Sequence, residues 1–60
     1  MLTEERRQRI LKFIDENGAA SVAELHSLMD VSPMTIRRDL MHLSSQGLVI
    51  RTHGGAVSPR

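Results

Sequence analysis

Two helix starts placed close together constrain this chain more than any other feature. Ser21-Val22-Ala23-Glu24 is a capping box, in which the serine hydroxyl reaches forward and the glutamate carboxylate reaches back, each satisfying the other's amide. A second start follows at Ser32-Pro33, where the serine caps the free amides of a first turn and proline fills a position at which a missing amide hydrogen costs nothing. Pro33 also drives Ser32 toward the extended angles that suit a cap. Only one short helix fits between the two starts, with Val22, Leu25, Leu28 and Met29 on its apolar side and an end around Asp30-Val31. The turn that follows holds Val31, which plugs the angle between the two helices.

The helix that begins at Pro33 should run over residues 33–46 and stop at Gly47, a residue that accepts the left-handed angles of a helix end. Ile36, Leu40 and Leu43 fall at i, i+4 and i+7 and want a core. Met34, Arg38, Met41 and Ser45 project from the opposite side, flanked by Arg37 on one edge and by Thr35 and His42 on the other. A short helix, a tight turn and a longer helix with an exposed polar face is the sequence shape of a helix-turn-helix.

The remaining segments supply what such a pair packs against. Thr3 is the cap expected for a first helix, with Glu4 and Glu5 in the first turn where negative charge complements the helix dipole. Leu2, Ile10, Leu11, Phe13 and Ile14 form its apolar stripe, and Asn17-Gly18 ends it. Arg6, Arg7 and Arg9 read as solvated charges, with contact to a nucleic-acid backbone as the alternative. After Gly47, Leu48-Val49-Ile50-Arg51 and Ala56-Val57 are two β-prone runs around a Gly54-Gly55 turn, a hairpin to which Ala19-Ala20 can add a third, edge strand. The fold class is mainly α with a small β-hairpin (α+β): a winged helix-turn-helix of three helices and a two- to three-stranded antiparallel sheet. It occupies residues 1–57, and residues 58–60 read as the start of a linker.

Composition narrows the function. At 60 residues the chain is one small domain, burying about 60% of the surface its unfolded form exposes, too little for a deep pocket. It has no cysteine, so neither a disulfide framework nor a thiolate zinc site is available. It has no apolar run of membrane-spanning length and no signal-like order at its start, which makes a soluble cytoplasmic domain the expectation. The net charge of +1 conceals an imbalance. Through Asp30, the cations Arg6, Arg7, Arg9 and Lys12 stand against Glu4, Glu5, Asp15, Glu16, Glu24 and Asp30, a net −2; from Val31 on, Arg37, Arg38, Arg51 and Arg60 against Asp39 give +3. A basic half attracts phosphates even when the total charge is small. One phenylalanine and no tyrosine or tryptophan argue against a binder that stacks single-stranded bases, so a nucleic-acid partner should be duplex. No nucleophile with its base, no carboxylate pair and no phosphate-cradling glycine loop points to an enzyme, and His26, His42 and His53 match no metal-ligand spacing; no cofactor is expected.

Taken together, Val31-Ser32-Pro33-Met34-Thr35-Ile36-Arg37-Arg38-Asp39-Leu40, Gly47, and Arg51-Thr52-His53-Gly54-Gly55-Ala56 resemble the signature of the DeoR family of bacterial transcription regulators. Arg6-Arg7-Gln8-Arg9-Ile10 and Ser21-Val22-Ala23-Glu24-Leu25 are similar as well, so the resemblance covers nearly the whole chain. Pro33 stands where the family varies. The resemblance implies an N-terminal winged-helix domain that reads operator DNA, commonly as a repressor of a sugar or related catabolic operon. It also implies a larger C-terminal domain, absent from these residues, that senses a phosphorylated sugar or related metabolite in a homo-oligomer; the isolated piece is expected to be a monomer.

With the resemblance in hand, the expected DNA-binding residues are Ser32, Met34, Thr35, Arg37, Arg38 and His42 from the helix, and Arg51, Thr52 and His53 from the wing over residues 48–57. Arg37 and Arg38 face the major groove, one toward guanine and one toward phosphate, or alternatively pair with Asp39 or a first-helix glutamate. Ser32 and Thr35 can meet a phosphate at the helix start. Met34, ahead of Met41, suits contact with a thymine methyl. Asp39 would repel phosphate and takes a structural role. Arg51 is the foremost wing contact, with Gly54 and Gly55 shaping the turn. The competing function is a winged helix that binds protein, centred on Met34 and Met41.

Overall fold

A computed structural model describes residues 1–60, and its second and third helices begin where the caps place them. Helix α1 spans Thr3–Asn17, α2 Val22–Met29 and α3 Pro33–Ser45; strands β1, β2 and β3 are Ala19–Ser21, Ile50–Thr52 and Gly55–Val57. Ser21 Oγ accepts from the Glu24 N–H and Glu24 Oε1 accepts from the Ser21 N–H, both at 3.0 Å, completing the capping box of α2. Ser32 Oγ accepts from the Thr35 N–H at 3.1 Å, with Pro33 in the first turn of α3. At the other end of α3, Gly47 takes a φ of 75°. There the Gly47 N–H donates to the Ser44 carbonyl at 2.9 Å and the Leu48 N–H to Leu43 at 3.0 Å, the paired bonds of a Schellman closure. Gly18, with φ 83°, closes α1 in the expected place.

The start of α1 differs from expectation. Thr3 is already helical, and Leu2 holds the cap position in extended conformation. Leucine has no acceptor, so only the glutamate half of a capping box forms: Glu5 Oε1 accepts the Leu2 N–H at 3.2 Å. Leu2 therefore lies outside the helix, ahead of a core whose first α1 member is Ile10, and is 72% exposed rather than buried.

The sheet is antiparallel in the order β1-β3-β2, so the last strand is the central one. Ala19, Ala20 and Ser21 pair with Val57, Ala56 and Gly55, and on the other side Ile50, Arg51 and Thr52 pair with the same three residues. Because Thr52 stands opposite Gly55, the hairpin turn is His53-Gly54, not Gly54-Gly55. Gly54 is outside the left-handed region and has open space around it. Gly55 is needed for a different reason: a side chain there would overlap the Ala20 carbonyl oxygen and lie 2.7 Å from Ser21 Cα. Close passage of β1, rather than turn geometry, demands that glycine.

All three helices and the sheet meet in one core of Ile10, Ile14, Ala20, Val22, Leu25, Ile36, Leu40, Leu43, Val49 and Ala56, with Leu11, Phe13, Met29 and Val31 packed at its edge. Val31, in the turn between α2 and α3, is half-buried against this core. Leu28 does not join its helix's apolar side and is 58% exposed. Steps of three residues from Val22 through Leu25 fall short of whole turns, so the third member has rotated off the core face, while Met29 returns to it. No helix is long and apolar enough to cross a membrane.

Candidate nucleic-acid interface

Helix α3 buries Ile36, Leu40 and Leu43 and, beside them, one charged residue, Asp39, which is wholly inaccessible. A buried carboxylate needs charged partners, and α1 supplies two. Arg6 donates through Nε to Asp39 Oδ2 and through Nη2 to Oδ1 at 2.9 Å, while Arg7 Nε donates to Oδ1 at 2.9 Å. Burial opposes ionisation of Asp39, but the hydrogen bonds and charges of Arg6 and Arg7 outweigh it and hold the carboxyl below its usual range. Its hydrogen bonds raise the affinity of Arg6 for its proton in return, against the effect of desolvation. Arg6 and Arg7 are therefore half-buried braces and not solvated charges, and Asp39 pairs with neither Arg37 nor Arg38. The signal for this was an aspartate at the edge of an apolar stripe; its partners lie too far along the chain for any spacing rule to select.

The brace changes the charge of the surface. Asp39 is the sole carboxylate after Asp30, and it is buried and matched, so α3 and the wing expose arginines without any acidic side chain. Arg37 and Arg38 are both exposed and make no ion pair. Met34 and Met41 stand clear of the core at 61% and 62% exposure, and Ser45 is exposed on the same side.

Thr35 and His42 are half-buried at one edge of this face. The Thr35 and Ser32 hydroxyls bond each other at 3.0 Å, and the Ser45 hydroxyl donates to the His42 carbonyl at 2.7 Å. Ser32 is exposed at the helix start, so its capping oxygen remains beside solvent.

Strands β2 and β3 pack on α3, so the wing is carried by the same helix. Arg51 lies half-buried along the hairpin with Nε donating to the Gly55 carbonyl at 3.3 Å, a bond that leaves its terminal nitrogens free. Thr52 and His53 are exposed at the wing tip. The Gly54 carbonyl accepts the Val22 N–H at 2.9 Å, tying the tip to the start of α2. Sequence reasoning gave His26 no structural part, yet its Nδ1 lies 2.7 Å from the Val31 carbonyl. A carbonyl only accepts, so Nδ1–H is the donor, and the ring staples the turn between α2 and α3.

A family model described as "DeoR-like helix-turn-helix domain" matches residues 6–60. The chain is 52% identical over 59 residues, 98% of its length and 23% of the relative's, to the HTH-type transcriptional regulator YgbI of Escherichia coli (strain K12). It is 50% identical over 54 residues to the glycerol-3-phosphate regulon repressor of Haemophilus influenzae, covering 90% of this chain and 21% of that one. It is 53% identical over 53 residues to the L-fucose operon activator of the same species, covering 88% and 21%. The chain thus spans about a fifth of the length of the curated relatives it matches. No solved structure matches it. A helix-turn-helix with a wing, an acid-free face of arginines and this likeness over almost every residue lead to one conclusion: the chain belongs to the DeoR-like helix-turn-helix family and is a DNA-binding domain of that type.

Proposed function

We propose that residues 1–57 bind duplex DNA sequence-specifically, with α3 in the major groove and the wing over residues 48–57 on the neighbouring backbone or minor groove. In this reading Arg37 and Arg38 supply the principal contacts, Ser32, Met34, Thr35 and His42 complete the helix surface, and Arg51, Thr52 and His53 act from the wing. The observation that carries it is the burial of Asp39 against Arg6 and Arg7, which leaves a surface of unpaired arginines and no exposed carboxylate.

The longer protein to which such a domain belongs is, on the same reading, a cytoplasmic regulator and not an enzyme. Its remaining length would carry a sensor for a phosphorylated sugar or related metabolite and the contacts of a homo-oligomer, while the isolated domain is monomeric. Pairing through that second domain would present two α3 helices to a two-fold operator. Repression of a sugar or related catabolic operon is the regulatory role proposed. The sign of regulation is set outside the DNA-reading domain, because relatives of nearly equal similarity are named a repressor and an activator.

Selection of bound duplexes from a random pool tests the reading. Enrichment of a common sequence is expected, with Arg37→Ala and Arg38→Ala each weakening binding to it; a good arginine–guanine pair discriminates by about 1–3 kcal/mol. A pool that stays random after selection would contradict sequence-specific binding.

A further inference from the structure

We propose that Met34 and Met41 are specificity-determining residues that read the 5-methyl groups of thymines on either side of the base pair addressed by Arg38. The proposal rests on the duplex-binding reading of α3 and says what chemistry that face recognises beyond phosphate and guanine.

The outward face of α3 is short of free hydrogen-bonding groups. The Ser45 hydroxyl donates to the His42 carbonyl, and of the Ser32 and Thr35 hydroxyls at the helix start one donates to the other. No asparagine or glutamine lies within α3 to take the two edge groups of adenine, and no exposed carboxylate is present to accept from cytosine. Arginine reads guanine. What remains at the centre of the face is two thioethers, Met34 and Met41, with Arg38 between them one turn from each. A thioether has nothing with which to read a hydrogen-bonding edge, and the one apolar group displayed in the major groove of unmodified DNA is the thymine methyl.

Their positions fit this use. Seven residues of helix advance about 10.5 Å, close to three base-pair steps at about 3.4 Å each. The two methionines are 61% and 62% exposed, so neither is held by the core, and each leaves water only if something docks on α3. A protein partner fits less well, because Arg37 and Arg38 interrupt the patch, no aromatic side chain accompanies it, and the centres of protein interfaces are depleted of charge.

The experiment uses the 60-residue chain, which has its own core, and the duplex enriched from a random pool. Each thymine of that duplex is replaced in turn by deoxyuridine, which removes the methyl and leaves every hydrogen-bonding edge unchanged. For the wild type, at least two replacements about three base pairs apart should each weaken binding about four-fold, the factor that corresponds to burial of one methyl group. Met34→Ala should lose sensitivity at one of these positions and Met41→Ala at the other, Met34→Leu should keep it, and the salt dependence should not change in any of them. Helicity measured by circular dichroism should match the wild type, since both positions are exposed and alanine and leucine are good helix formers.

Specific binding that is indifferent to every deoxyuridine overturns the proposal while leaving the duplex-binding reading intact. So does an enriched duplex without thymines at that spacing. Self-association abolished by Met34→Ala and Met41→Ala, with DNA binding unaffected, overturns it in favour of a protein-docking face. Absence of any enrichment removes the duplex-binding reading and this proposal with it.

Discussion

Asp39→Ala should leave the two guanidinium groups of α1 side by side against α3 with no counter-charge. Removing one member of a buried ion-paired group costs about 3–5 kcal/mol when the others remain fully buried. The side chains of Arg6 and Arg7 keep 12% and 21% of their exposure and can turn partly toward water, which places the expected loss near the lower figure. A domain of this size holds only about 3–5 kcal/mol in all, so urea titration should find the variant with about 2 kcal/mol or less of its stability remaining. The same contact makes a pH prediction. The carboxyl of Asp39 is held below its usual range, so its contribution is fully present above the unfolded value of about 4 and is lost as pH falls through the folded value. The difference in urea midpoint between the wild type and Asp39→Asn should shrink as pH falls below about 4; a difference that stays constant would show that ionisation of Asp39 is not what stabilises. At this scale the sequence was read only in part. An aspartate beside a core stripe announces a structural role, but Arg6 and Arg7 look like any wet helix face until the fold brings two distant segments together.

Among the elements, the starts of α2 and α3 were legible because capping is local, and Ser32→Ala tests how much one cap contributes. It removes the acceptor for the Thr35 N–H and should lower stability by about 1 kcal/mol, measured as a fall in urea midpoint at unchanged slope. Where expectation failed, a competing contact decided. Thr3 has the chemistry of a cap, yet Glu5 satisfies the amide one residue earlier and the helix takes Thr3 in. The Gly54-Gly55 pair has the composition of a turn, yet strand pairing assigns Gly55 to β3 against the backbone of β1. Gly55→Ala should therefore force β1 away from β3 and cost about 1–3 kcal/mol, as overpacking does, while Gly54→Ala, with open space around it, should be nearly neutral. Equal effects of the two substitutions would mean that the turn, not the β1–β3 contact, selects glycine. The third strand itself is barely visible in Ala19-Ala20, since three residues carry no period and gain their pairing only after β3 has been placed.

For the whole molecule, the consequence of folding is a redistribution of charge that the total conceals. The net +1 of the chain becomes one acid-free surface on α3 and the wing, while Glu4 and Glu5 stay at the start of α1 and Asp15 and Glu16 near its end. Such a surface binds a polyanion by releasing counterions, so log affinity should fall linearly with log salt, by about 0.9 for each phosphate neutralised. On the proposed reading the two adjacent arginines of α3 separate by role. Arg38 lies at the centre of the outward face between Met34 and Met41, where a base edge is nearest, and Arg37 lies on its flank toward the backbone. Arg37→Ala should then weaken all duplexes evenly and reduce the slope by about 1. Arg38→Ala should instead relax preference at one base pair, equalising affinity for the enriched duplex and its mutant at that position. Arg9, which lines a groove between α1 and α2 with Phe13 and Leu28, gives the control: Arg9→Ala should leave both slope and preference as they are. Fluorescence anisotropy on the enriched duplex across a salt series reads all three variants. A slope that falls equally for Arg37→Ala and Arg38→Ala, with no change in preference for either, would make both residues phosphate contacts and move base reading elsewhere on the helix.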